Sequence, residues 1–113
     1  MATKKREERE GGVATQKKTE RKLARPRLYK VILHNDDFTT MEFVVALLIH
    51  VFHHDETNAQ QIMLHIHQTG MGIAGVYTYE VAETKVAQVR ELAEKAEFPL
   101  LCTLEPDEQG SEE

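Results

Sequence analysis

The sequence predicts a small α+β sandwich, a three-stranded antiparallel sheet packed with three helices in the order β-α-α-β-α-β. Three observations predict it. The runs LYKVILHN, IAGVYTY and LLCTL are short, rich in branched and aromatic residues, and bounded by polar, Gly or Pro residues. Three longer stretches between them repeat apolar residues at helical spacing. At 113 residues and 41% hydrophobic, the chain can bury one modest core.

The elements follow in order. Residues 28–35 read as a strand on Leu28, Val31, Ile32 and Leu33. A helix is expected from Thr39 to about Phe52. Thr39 and Glu42 form a T-x-x-E capping box. Met41, Val44, Leu48 and Val51 make its stripe, and it is apolar nearly all round, so it should be central and well covered. Asp55 is the expected N-cap of a second helix over about 55–69, with Ala59, Ile62, Met63 and Ile66 on one face. Gly70 and Gly72 end it. Residues 73–79 read as a strand and 80–96 as a third helix, with Ala82, Val86, Val89, Ala93 and Ala96 facing inward. Glu80 and Glu83 lie in its first turn and Lys95 in its last, which suits the helix macrodipole. Pro99 stops it before a last strand over 100–104.

Charge divides the chain. Residues 1–27 hold ten Lys/Arg and four Glu, a net +6, with almost no large apolar side chains. The rest holds four Lys/Arg and fifteen Asp/Glu, a net −11. We expect a disordered basic arm over 1–27, one folded domain over 28–105, and a flexible acidic tail over 106–113. No apolar run reaches the 18 residues of a membrane span, and the N-terminus lacks the apolar segment of a secretory signal. A single cysteine, Cys102, permits no intrachain disulfide, which suits the cytoplasm; its place in FPLLCTL suits a small buried residue.

Where could chemistry reside? In HNDDFTTMEF the carboxylates Asp36 and Asp37 stand side by side just before a helix start. They either decorate that start, where the helix dipole favours negative charge, or form a cation site with the amide of Asn35. A paired-carboxylate hydrolase is disfavoured, because adjacent residues usually point apart and no aromatic sugar platform is near. The histidines at 50, 53, 54, 65 and 67 have poor spacing for zinc; His65 and His67 sit about 200° apart around a helix. His67 borders the apolar face of its helix, as a packing residue or as a hydrogen-bonding group at a pocket. Met41 and Met63 are core filler or the lining of an adaptable pocket. No phosphate-binding loop, dinucleotide fingerprint, nucleophile elbow or H-E-x-x-H is present. The basic arm lacks interleaved aromatics and belongs to an acidic domain, so nucleic acid is not the expected partner.

The segments YKVILHNDDFTTMEFVV, IMLHIHQTG, GVYTYEVAETKV and PLLCTL, in that order, resemble the ClpS family over about residues 28–105. The resemblance implies a non-enzymatic adaptor of the N-degron pathway. Such an adaptor binds proteins beginning with Phe, Tyr, Trp or Leu and hands them to the ClpA unfoldase of the ClpAP protease. It implies that Asn35, Asp36 and His67, with Asp37 in the same acidic loop, hold the substrate's α-ammonium. Thr39, Met41, Val44, Met63, Ile66 and Leu100 would line the side-chain pocket, with Met41 guarding it against β-branched residues. Glu80, Glu83 and Lys85 would lie on the side that docks the N-domain of ClpA; read from the residues alone, they are a solvated first turn. The arm would take part in hand-over. A monomer without cofactor or metal is implied. One departure is Thr40, where the family commonly has Pro; the position reads as N1 of the first helix.

Overall fold

The structure, a computed structural model, describes residues 26–108. The expectations of a disordered arm and a frayed tail fall mainly on 1–25 and 109–113, outside the described residues. The elements are β1 (Leu28–His34), α1 (Met41–His50), α2 (Glu56–Thr69), β2 (Met71–Thr78), α3 (Tyr79–Ala96) and β3 (Leu101–Pro106). The antiparallel sheet has the order β2-β1-β3, so the first strand is the central one.

Strand alternation gives the sheet two unlike faces. Val31, Leu33 and Cys102 are fully buried on the face that carries the helices. Against them pack Val44, Leu47 and Leu48 of α1, Ala59, Met63 and Ile66 of α2, and Ala82, Val86, Val89 and Ala93 of α3. The opposite face bears Ile32, with exposed Met71, Ile73 and Leu101 on neighbouring strands. A bulge interrupts the β1–β2 register between Val31 and Ile32, leaving Ala74 as the extra residue. The Ala74 carbonyl accepts a hydrogen bond from His54 Nε2 at 2.6 Å, which tethers the α1–α2 turn to the sheet.

Helix ends decide where the site lies. Asp55 caps α2 as expected, accepting from Asn58 N at 2.7 Å. Gly70 ends it in the left-handed region at φ 102°, which a Cβ disfavours. The expected Thr39–Glu42 box does not form. Thr40 is the N-cap of α1, accepting from Phe43 N at 3.1 Å, so Thr40 is not N1. The reason is local competition: Asp36 has already engaged Thr39 through both its N–H and its hydroxyl. The helix therefore starts one residue later. It is also less covered than expected, with Met41, Glu42, Ala46 and His50 exposed. Ala96, expected to face inward, is exposed in the last turn of α3.

Candidate functional site

The loop between β1 and α1 is built around Asp36. Its Oδ1 accepts from Phe38 N at 2.8 Å and Thr39 N at 2.7 Å, and its Oδ2 accepts from the Thr39 hydroxyl at 2.8 Å. Partial burial pushes the Asp36 carboxyl up, but these donors outweigh it and hold the group below its ordinary range. The other anchor is distant in sequence. Asn35 N donates to the carbonyl of Gly70 at 2.9 Å, which fixes the loop against the C-terminal end of α2.

That anchor closes a cavity of about 260 Å³ between the loop, α1 and α2. Asn35, Asp36, Asp37 and Thr39 line it from the loop. Met41 and Val44 contribute from α1, and Met63, Ile66 and His67 from α2. The lining thus combines two carboxylates, an amide and an imidazole with aliphatic and thioether groups. The volume is below the roughly 300–1,000 Å³ of pockets for drug-sized ligands, so it suits a single side chain. Three larger grooves on the described surface carry one carboxylate each.

Nine of the ten residues expected at the amine and side-chain positions thus share one cavity. Leu100 is not among the lining residues; it is buried just before β3, in the same core cluster as the cavity residues Val44, Met63 and Ile66. The trio expected at a docking surface is divided. Glu80 and Glu83 are exposed on the first turns of α3, with Glu83 accepting from the Tyr79 hydroxyl at 3.2 Å. Lys85 turns the other way: its Nζ donates to Val51 O at 2.6 Å and lies 5.6 Å from the Tyr77 ring centroid. It caps the C-terminal end of α1.

The histidines separate by role. His67 lines the cavity, whereas His65 lines a groove by the outer sheet face. His34 and His54 are half-buried and hydrogen-bonded, His34 to the Thr103 hydroxyl at 2.9 Å. Among the described residues no three His, Cys, Asp or Glu side chains converge as a metal site. No described helix is long and apolar enough to cross a membrane. Sequence reasoning missed Gly72, where a Cβ would lie 2.7 Å from Ile66 Cγ1 and so press on the cavity wall. A glycine two residues after a helix stop was the available signal.

Comparison with known proteins follows the same lines. The model of the family "ATP-dependent Clp protease adaptor protein ClpS" matches residues 24–103. The ATP-dependent Clp protease adapter protein ClpS of Myxococcus xanthus is 54% identical over 101 residues, covering 89% of this chain and 94% of the relative. That of Caulobacter vibrioides (strain NA1000 / CB15N) is 50% identical over 109 residues, covering 95% of this chain and all of the relative. A solved structure of Agrobacterium tumefaciens ClpS2 bound to L-phenylalaninamide superposes with a TM-score of 0.71 at 41% identity, covering 74% of this chain and 100% of that one. The fold and cavity describe a small binding module of the Clp adaptor class. The chain belongs to the ClpS family.

Proposed function

We propose that this chain is an adaptor that binds the free N-terminal residue of N-degron substrates, Phe, Tyr, Trp or Leu, and delivers them to the ClpA unfoldase of ClpAP. The observation that carries this reading is the cavity itself, whose lining joins acidic and apolar side chains at the scale of one side chain. The relative from A. tumefaciens was solved with L-phenylalaninamide, which carries a free α-amine and an aromatic side chain.

The chemistry is joint recognition. A free α-amine, with a reference pKa of about 7.7–8, is mostly charged at pH 7. Asn35, Asp36, Asp37 and His67 provide the polar lining for that ammonium. A hydrogen bond to a charged group contributes about 1.5–3 kcal/mol. Burying a Leu or Phe side chain contributes about 1.5–3 more. Binding at 1 μM needs about 8.2 kcal/mol, so neither half suffices alone. Acetylation, which removes the charge, and an internal Phe, which has no amine, should both abolish binding. On this reading the protein acts as a cytoplasmic monomer, needs no metal or cofactor and catalyses no bond change. Glu80 and Glu83 face the unfoldase, and the arm helps in hand-over.

The test is fluorescence anisotropy with a labelled peptide beginning in free Phe, its N-acetylated twin and a twin beginning in Glu. Binding of the free Phe peptide alone supports the reading. Equal binding of all three, or of none, refutes it. Salt-sensitive binding of DNA through the arm would instead favour a nucleic-acid role.

A further inference from the structure

Three methionines stand among the described residues, Met41, Met63 and Met71, and their surroundings differ. Met63 lines the cavity but is only 7% exposed and belongs to the core cluster. Met71 is 49% exposed but lines another groove, with Ile32 and Ile73 of the outer sheet face. Met41 combines the two properties: it lines the cavity and is 44% exposed. It is the first residue of α1, directly after the Thr40 cap, and takes no part in the core cluster. The one cysteine, Cys102, is fully buried.

We propose that the Met41 thioether is a modification site, at which oxidation by hydrogen peroxide to the sulfoxide weakens the cavity's hold on an apolar side chain. The effect on binding rests on the adaptor reading; the order in which the methionines oxidise does not. The step is a two-electron oxygen transfer. A sulfur lone pair attacks one peroxide oxygen, and the S–O bond forms as the O–O bond breaks. The departing hydroxide takes the proton of the transferred oxygen and leaves as water. Sulfur is oxidised, peroxide is reduced, and no further reagent enters.

The position of Met41 sets the consequence. A thioether is apolar and polarisable and adapts to side chains of several shapes. A sulfoxide oxygen in its place is a hydrogen-bond acceptor that water satisfies while the cavity is empty. A Phe or Leu side chain entering the cavity displaces that water and carries no donor to replace it. The Thr39 hydroxyl in the same lining already donates to Asp36. Because Met41 stands outside the core cluster, its oxidation spares the fold, whereas the same change at Met63 would strike the core. Conversely, a side chain held in the cavity covers the thioether and shields it from peroxide.

The experiment treats the full chain with increasing hydrogen peroxide and stops the reaction with catalase. Mass spectrometry of peptides locates the added oxygen, and anisotropy titrates the free Phe peptide before and after. Met41 and Met71 are expected to gain oxygen while Met63 stays reduced. Excess Phe peptide should protect Met41 and leave Met71 unprotected. The oxidised protein should bind the free Phe peptide at least about fivefold more weakly, with thermal unfolding unchanged. Methionine sulfoxide reductases should restore the affinity. Met71→Leu should lose affinity on oxidation as the wild type does, whereas Met41→Leu should bind equally well before and after treatment. Met41 that stays reduced while Met71 oxidises overturns the proposal. So does unchanged affinity once Met41 is oxidised, or an equal loss in Met41→Leu. Untreated protein that fails to bind the free Phe peptide refutes the adaptor reading itself, so the two failures are told apart by the sample in which they occur.

Discussion

Asp36 and Thr39 hold each other through two hydrogen bonds, Thr39 N to Oδ1 at 2.7 Å and the Thr39 hydroxyl to Oδ2 at 2.8 Å. With Phe38 N also on Oδ1, the carboxylate that lines the cavity also organises the loop around it. Because its folded pKa is depressed, the ionised form contributes stability above its ordinary value of 3.8. That contribution is lost as pH falls through the lower folded value. Thermal unfolding of the wild type and Asp36→Asn should therefore differ at pH 5–7 and draw together only as pH falls from about 3.8 through the lower folded value. A gap that stays constant with pH contradicts this account. At neutral pH, Asp36→Ala should weaken the free Phe peptide at least about tenfold, a cost of about 1.4 kcal/mol.

Met41 lines the cavity and yet is 44% exposed. Met41→Ala should open the mouth at little cost in stability and admit peptides beginning with Ile or Val. Anisotropy with those peptides checks it; continued exclusion would show that the gate lies elsewhere.

Gly72 joins stability to recognition. A Cβ there sits 2.7 Å from Ile66 Cγ1 and 3.2 Å from His65 Cδ2. Gly72→Ala should cost about 1–3 kcal/mol through overpacking. Displaced Ile66 should also weaken peptide binding, since it lines the cavity. Denaturant unfolding and peptide titration on the same sample read both effects. Normal affinity in a destabilised variant would separate Gly72 from the cavity.

Lys85 caps α1 through Val51 O. Lys85→Met should cost about 1.5–3 kcal/mol of stability, because the carbonyl loses a charged donor. Affinity for the Phe peptide should not change, as Lys85 does not line that cavity. If stability is untouched while binding to the unfoldase falls, the residue serves docking rather than capping.

Thr40 sits at φ −75° and ψ 151°, a conformation proline also adopts. Thr40→Ala should cost about 1 kcal/mol through the lost cap. In Thr40→Pro the lost cap is partly offset by a stiffer unfolded chain, worth about 0.4–1 kcal/mol. Melting curves should therefore rank wild type and Thr40→Pro close together, with Thr40→Ala below both.

The fold was readable wherever a local rule had no local competitor. Asp55 capped α2 and the stripe of Ala82, Val86, Val89 and Ala93 was buried, because spacing and capping chemistry agreed there. The start of α1 was misread by one residue because two threonines stand together and Asp36 claims the first. The cavity residues of the loop, α1 and α2 meet through core packing and through contacts such as Asn35 N to Gly70 O, which are long-range and have no periodic signature. Their grouping came from resemblance to a family rather than from spacing. Leu100 packs in the same core cluster as Val44, Met63 and Ile66, and Lys85 caps α1, placements that no local pattern in the sequence announces.

Cys102 is fully buried on β3 beside the central strand, and burial pushes its thiol up to about 12. At neutral pH the nucleophilic thiolate is therefore vanishingly scarce while the domain stays closed. Alkylating reagents will pass it by, so a second cysteine engineered on the surface can carry a dye without removing the native one. Modification of Cys102 itself will wait for the domain to open, and its slow rate becomes a built-in clock for that event.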